Sequence, residues 1–143
     1  MSNFYTRTAI EIDLKVDGSE NVTKFFQRPV LAREHHQLTR VYNQLNAEKR
    51  FEAEHQYNVD IISKTAMRPP ENLPFFDPAR QNLADYLTKT SDEELEQIKA
   101  AIKAEGENPP DDETLRQLQN DKKVILAKLL FNLYNQEIAN PFF

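Results

Sequence analysis

His35, His36 and His55 are the only imidazoles in this 143-residue chain, and Glu34 and Glu54 stand beside them. Imidazole and carboxylate together can hold a metal ion, so these five residues form the one set that could support metal chemistry. Spacing works against it. Along one helix, twenty residues separate His35 from His55, about 30 Å at a rise of ~1.5 Å per residue. Neighbouring His35 and His36 would point roughly 100° apart, and no pair with metalloprotease spacing is present. Only a sharp break near Asn46 could bring Glu34, His35 and His55 together. Without that break, one histidine is partly buried and two are solvated.

Other reaction classes have less to build on. The chain has no cysteine, hence no thiol nucleophile, thiolate metal site or disulfide. No Gly-x-Ser-x-Gly elbow occurs, and Ser2, Ser19, Ser63 and Ser91 fall where a terminus, turn or cap explains them. The two glycines, Gly18 and Gly106, lie too far apart to build a phosphate-binding loop. Glu93-Glu94 and Asp111-Asp112-Glu113 read as helix starts on a solvated face, not as general acid and base. No catalytic residue, metal ligand or cofactor is therefore assigned.

Charge is unevenly placed. Residues 91–113 carry nine acids against Lys99 and Lys103, a net of −7 within a total of −5. Residues 22–68 carry eight basic residues and five acids, net +3, a weak footprint for nucleic acid in an acidic protein. No apolar run approaches membrane-spanning length, and the first residues lack a signal-peptide pattern. A cytoplasmic protein that binds neither membrane nor nucleic acid is the expectation.

The elements that would carry these residues follow from periodicity. Thr8, Ile10, Ile12, Leu14 and Val16 alternate with polar residues, as in a half-buried strand. Asp17-Gly18-Ser19-Glu20 supplies a turn, and a second strand near Val22–Gln27 completes a hairpin over 8–28. Arg28-Pro29 ends that strand, because proline cannot donate to a ladder but suits the start of a helix. Leu31, His35, Leu38, Val41, Tyr42 and Leu45 then open a long helix over 30–62.

Pro69, Pro70, Pro74 and Pro78 make 67–78 a stiff connector in which Leu73, Phe75 and Phe76 anchor the chain. Three helices follow over 78–139. Asp77-Pro78 opens the first, Ser91 and Glu94 form a capping box at the second, Gly106 ends it, and Asp111 opens the third. In that last helix Leu115, Leu118, Ile125, Leu129, Leu133 and Tyr134 are expected inward. The fold class is mainly α with an N-terminal β-hairpin, about four helices in a single domain. Its core is expected from Ile10, Ile12, Leu14, Leu38, Leu45, Leu83, Leu95, Ile98, Leu118, Ile125, Leu129 and Leu133.

The hairpin, the Phe26-x-Arg28-Pro29 exit from its second strand and Glu34 in the first turns of the following helix together resemble the opening of tail-assembly chaperones of long-tailed phages and prophages. The resemblance covers roughly residues 8–45. It implies a non-enzymatic helper in the host cytoplasm that binds the tape-measure protein during tail building, often self-associates, and is sometimes also made in a longer frameshifted form. Candidate partner-binding residues are Arg28 and Glu34 at the junction, Leu126 and Leu130 on the nearly all-apolar stretch 124–133, and the terminal Phe142 and Phe143. Two alternatives remain open: a regulatory or host-interaction protein using the acidic 91–113 face, and a metal-dependent enzyme centred on Glu34, His35 and His55.

Overall fold

The computed structural model describes residues 10–16, 22–29 and 50–139, with side chains over 53–137 in the last segment. Strands β1 (Ile10–Leu14) and β2 (Thr23–Gln27) pair antiparallel from Ile10 opposite Gln27 to Leu14 opposite Thr23. Alternation places Ile12 and Phe25 in the core and leaves Glu11 and Asp13 outside, where both carboxylates meet Lys24. Helix α1 (Arg50–Thr65) runs directly into β3 (Ala66–Glu71), which pairs antiparallel with β2 and makes a three-stranded sheet in the order β1-β2-β3. Helices α2 (Leu83–Thr88), α3 (Asp92–Ala104) and α4 (Asp112–Ala139) complete the described residues. Four helices and this sheet form a single α+β domain.

Gln27 is polar yet buried, and its amide shows why β2 and α1 are joined so tightly. Its Nε2 donates to the Ile62 carbonyl at 2.8 Å and to Thr65 Oγ1 at 2.7 Å. One turn of α1 is thereby fixed beneath the sheet. The main core lies between the sheet, α1, α2 and α4, with Val59, Ile62, Leu87, Leu130 and Tyr134 at its centre. Leu95, Ile98 and Leu115 form a smaller cluster where α3 meets the first turns of α4.

Local signals are realised closely. Ser91 Oγ accepts from the Glu94 amide at 3.1 Å and caps α3. Gly106, at φ +83°, ends the helix: its amide bonds the Lys103 carbonyl and the next amide reaches Ile102. That is a Schellman closure, in which glycine takes the left-handed position. Asp111 caps α4 through the amide and hydroxyl of Thr114.

Four expectations need correction. Part of the expected 67–78 connector is strand β3, and Pro69 and Pro70 fit there because an edge strand leaves amides on one side unused. The helix expected from Asp77-Pro78 begins at Leu83, since Asp77 closes only a turn and Asn82 Oδ1 accepts from the Asp85 amide as the actual cap. Glu94 does not complete a capping box, because both its oxygens are taken by α4.

The fourth concerns the face of α4. Leu118, Ile125 and Leu129, expected in the core, are exposed by 49%, 67% and 44%, while Leu126, Ala127, Leu130 and Tyr134 are buried. The buried row runs through Lys123, so a reading that puts lysine outside rotates the helix the wrong way. Ile12, Leu83, Leu95 and Ile98 are buried as expected, and Ile10, Leu14 and Leu133 are partly so. Leu38, Leu45, most of the helix expected over 30–62 and the turn at 17–20 lie outside the described residues. α1 itself ends at Thr65, three residues beyond the expected end.

Candidate functional site

Rotation of α4 puts an apolar row on the surface. Leu118, Ile125 and Leu129 follow one another at spacings of seven and four, a single helical face. Beside this row opens a cleft of about 420 Å³ between α4, the end of β1 and the 74–75 loop. Leu14, Val16, Pro74 and Phe75 form one wall, and Ile125, Leu126 and Leu129 form the other. Phe75 stands at φ +61°, a left-handed conformation uncommon for a bulky residue, and its ring is partly exposed at the mouth. Such a conformation costs about 1–3 kcal/mol and persists only where surrounding contacts hold it. Here neighbouring Leu73 is buried, and Phe76 packs edge-on against Tyr86 with ring centres 5.2 Å apart.

The floor is polar but satisfied. Lys123 and Glu94 are each only 2% exposed. Lys123 Nζ donates to Glu94 Oε1 at 2.7 Å and to the Lys89 carbonyl at 2.7 Å, and sits 4.1 Å from the centre of the Tyr86 ring. Glu94 Oε2 accepts from Gln119 Nε2 at 2.9 Å. Burial lowers the Lys123 pKa, and the Glu94 carboxylate opposes that shift. Tyr86 donates its hydroxyl to the Pro74 carbonyl at 2.7 Å, and burial first, with the Glu94 charge second, pushes its pKa well up. Tyr86 thus stays neutral, and the floor presents ring faces and paired groups.

Arg28 is a structural clasp. Its amide donates to the Thr65 carbonyl at 2.7 Å, its guanidinium to the carbonyls of Lys64 and Pro29 at 3.0 Å each, and its carbonyl accepts from Tyr134 Oη at 2.6 Å. The end of β2, the end of α1 and the last turns of α4 meet there. Leu126 and Leu130, expected as partner-binding residues, are corrected to core: Leu130 is fully buried, and only the edge of Leu126 lines the cleft. Glu34, Phe142 and Phe143 lie outside the described residues.

His35 and His36 also lie outside them. His55 is half-buried, with Nε2 3.1 Å from the Leu87 carbonyl. Its pKa is lowered by burial, with the Leu87 hydrogen bond working against the shift. The neutral ring must therefore carry its proton on Nε2 to donate there, which leaves Nδ1 as a buried acceptor with no partner among the described residues. Glu54 is exposed, and no three His, Asp or Glu residues among those described could hold a metal ion.

The acidic window is largely absorbed by structure. Glu94 is inside; Asp92 pairs with Arg116, Glu93 with Arg80, and Glu96 and Asp112 with Lys99. Asp111 has its pKa lowered by the hydrogen bonds of the Thr114 hydroxyl and amide that it caps. No family model, curated protein or solved structure matches the chain. No helix among the described residues is long and apolar enough to cross a membrane.

The exposed row was within reach of the sequence. Lys123 stands at the i−3, i−4, i−7 and i−11 positions of Leu126, Ala127, Leu130 and Tyr134. A lysine within an apolar row, with Ser-x-x-Glu capping the preceding helix, is the available signal for a buried pair.

Proposed function

We propose that this chain is a non-enzymatic binding protein of phage or prophage assembly, a tail-assembly chaperone-like helper that holds a structural partner such as a tape-measure protein. The observation that carries the reading is the exposed Leu118–Ile125–Leu129 row beside an open apolar cleft. Exposed apolar side chains grouped on one helical face favour association. The antiparallel hairpin and its Arg28-Pro29 exit, where the resemblance to these chaperones resides, support the assembly role. Such a protein would act in the host cytoplasm without a cofactor.

Partner binding would proceed by withdrawal of these side chains from water, with Phe75 as an anchor held outward by its backbone. At roughly 25 cal/mol per Å² of apolar area, a few such residues dominate an interface. The test is co-expression with a candidate phage tape-measure protein, followed by size-exclusion chromatography of the pair. A co-eluting complex that is lost with Ile125→Asp supports the reading, and separate elution at micromolar concentration refutes it.

A further inference from the structure

We infer that the exposed face of α4 is covered, when no other protein holds it, by a second copy of this chain, the two α4 helices packing antiparallel about a two-fold axis beside Ile125. The apolar row is the one used in the binding role above, and the second copy competes for it. At about 100° per residue, Leu118, Ile125 and Leu129 lie within about 40° of one another, and Asp121 and Lys128 lie together roughly 60–80° to one side. All five residues are exposed.

Asp121 and Lys128 single out a second copy as the occupant. Asp121 accepts the Gln117 side-chain amide at 3.0 Å and meets no cation among the described residues, and Lys128 meets no carboxylate there. Arg116, earlier on the same helix, instead finds Asp92 within its own chain. The two charges are opposite in sign and stand on either side of Ile125, each about 4–6 Å from it along the helix.

A two-fold axis at that point turns the spacing into complementarity. In an antiparallel helix pair each flank meets the same flank of its neighbour, so Asp121 of one copy faces Lys128 of the other, and the reverse. The same register sets Ile125 against its own counterpart and brings Leu118 within about 3 Å, along the axis, of Leu129 in the other copy. Parallel packing joins opposite flanks and leaves Lys128 without its carboxylate. Three half-exposed apolar side chains fall well short of the roughly 800 Å² that each side of a standard stable interface buries. A net charge of −5 on each copy adds repulsion. The dimer is therefore weak and exchanges readily, so a protein offering a larger apolar surface displaces the second copy.

Analytical ultracentrifugation of the whole chain tests this, at about 0.15 M salt, where a Debye length of about 8 Å screens the long-range repulsion. Wild type is expected to dimerise with a dissociation constant on the order of 10–100 μM. Asp121→Lys and Lys128→Asp each set like charges across the axis and should weaken the dimer about tenfold. An equimolar mixture of those two variants restores both pairs, as does the Asp121→Lys/Lys128→Asp double variant alone, and each should return to within about threefold of wild type. Ile125→Asp should abolish the dimer, while circular-dichroism melts confirm that all variants fold. A wild type still monomeric at about 0.5 mM, a dimer indifferent to both charge reversals, one that survives Ile125→Asp, or a mixture no tighter than its components would each overturn the inference. The two readings separate cleanly. Capture of a candidate tape-measure protein by a chain that is otherwise monomeric leaves the binding role standing and removes the second copy. A charge-dependent dimer that captures no tape-measure protein does the opposite.

Discussion

Replacement of Lys123 by Met should destabilise the protein far more than loss of a surface lysine, and the structure sets the size. The ammonium has two oxygen acceptors at 2.7 Å and an aromatic face at 4.1 Å. Methionine keeps the stem's packing against Tyr86 but leaves the Glu94 carboxylate buried with only Gln119 as donor. Breaking one side of a buried pair typically costs about 3–5 kcal/mol, against ~0–1 kcal/mol for an exposed pair. For a chain of this size that is roughly 10–15 °C in Tm. In urea, at about 2 kcal/mol per molar, the midpoint should fall by ~1.5–2.5 M. The Glu94→Gln/Lys123→Met double variant removes the stranded charge and keeps the Gln119 contact. It should recover about 2 kcal/mol of the loss, a coupling that equilibrium urea denaturation of all four proteins measures. A Lys123→Met midpoint within about 0.5 M of wild type would refute the reasoning, because the ammonium would then be in water and the rotation of α4 derived from it would be wrong.

Two further outcomes follow from the same framework. Because burial lowers the His55 pKa below 6.5, the unfolded chain takes up a proton there more readily than the folded one. The His55 contribution is therefore complete above pH 6.5 and is lost as pH falls through 6.5 toward the lowered value; the difference in urea midpoint between wild type and His55→Leu should shift against wild type from about pH 7.5 to about pH 5.5, and a pH-independent difference would contradict it. Tyr134→Phe removes the bond to the Arg28 carbonyl and should cost about 1–2 kcal/mol, read as a lower Tm, whereas an unchanged Tm would show that this bond contributes nothing.

Legibility in the sequence tracked how local each determinant is. Ser91, Gly106 and Asp111 mark helix ends through bonds that span a few residues, and all three do so in the structure. The alternation of Ile10, Ile12 and Leu14 identified β1 for the same reason. β3 was hidden because Pro69 and Pro70 argue against a strand unless its edge position is known, and that position depends on pairing with β2, about forty residues earlier. Glu94 fits a capping box by spacing, but its carboxylate serves a lysine twenty-nine residues away. That long-range pair also decides which leucines of α4 face water, so the candidate surface was misplaced together with the core. Phe75 carried no signal, since nothing about a phenylalanine beside proline announces a left-handed backbone.

The measurement that bears most directly on the proposed binding face is the dissociation constant of a candidate tape-measure protein for wild type and for Ile125→Asp. Ile125 is 67% exposed, so aspartate there should leave the melting temperature within about 2 °C. The account predicts a micromolar or tighter wild-type complex, weakened at least thirtyfold or so by the substitution, as expected for an anchor worth about 2 kcal/mol. An unchanged dissociation constant would contradict it, because the partner would then be held by a surface other than the apolar face of α4.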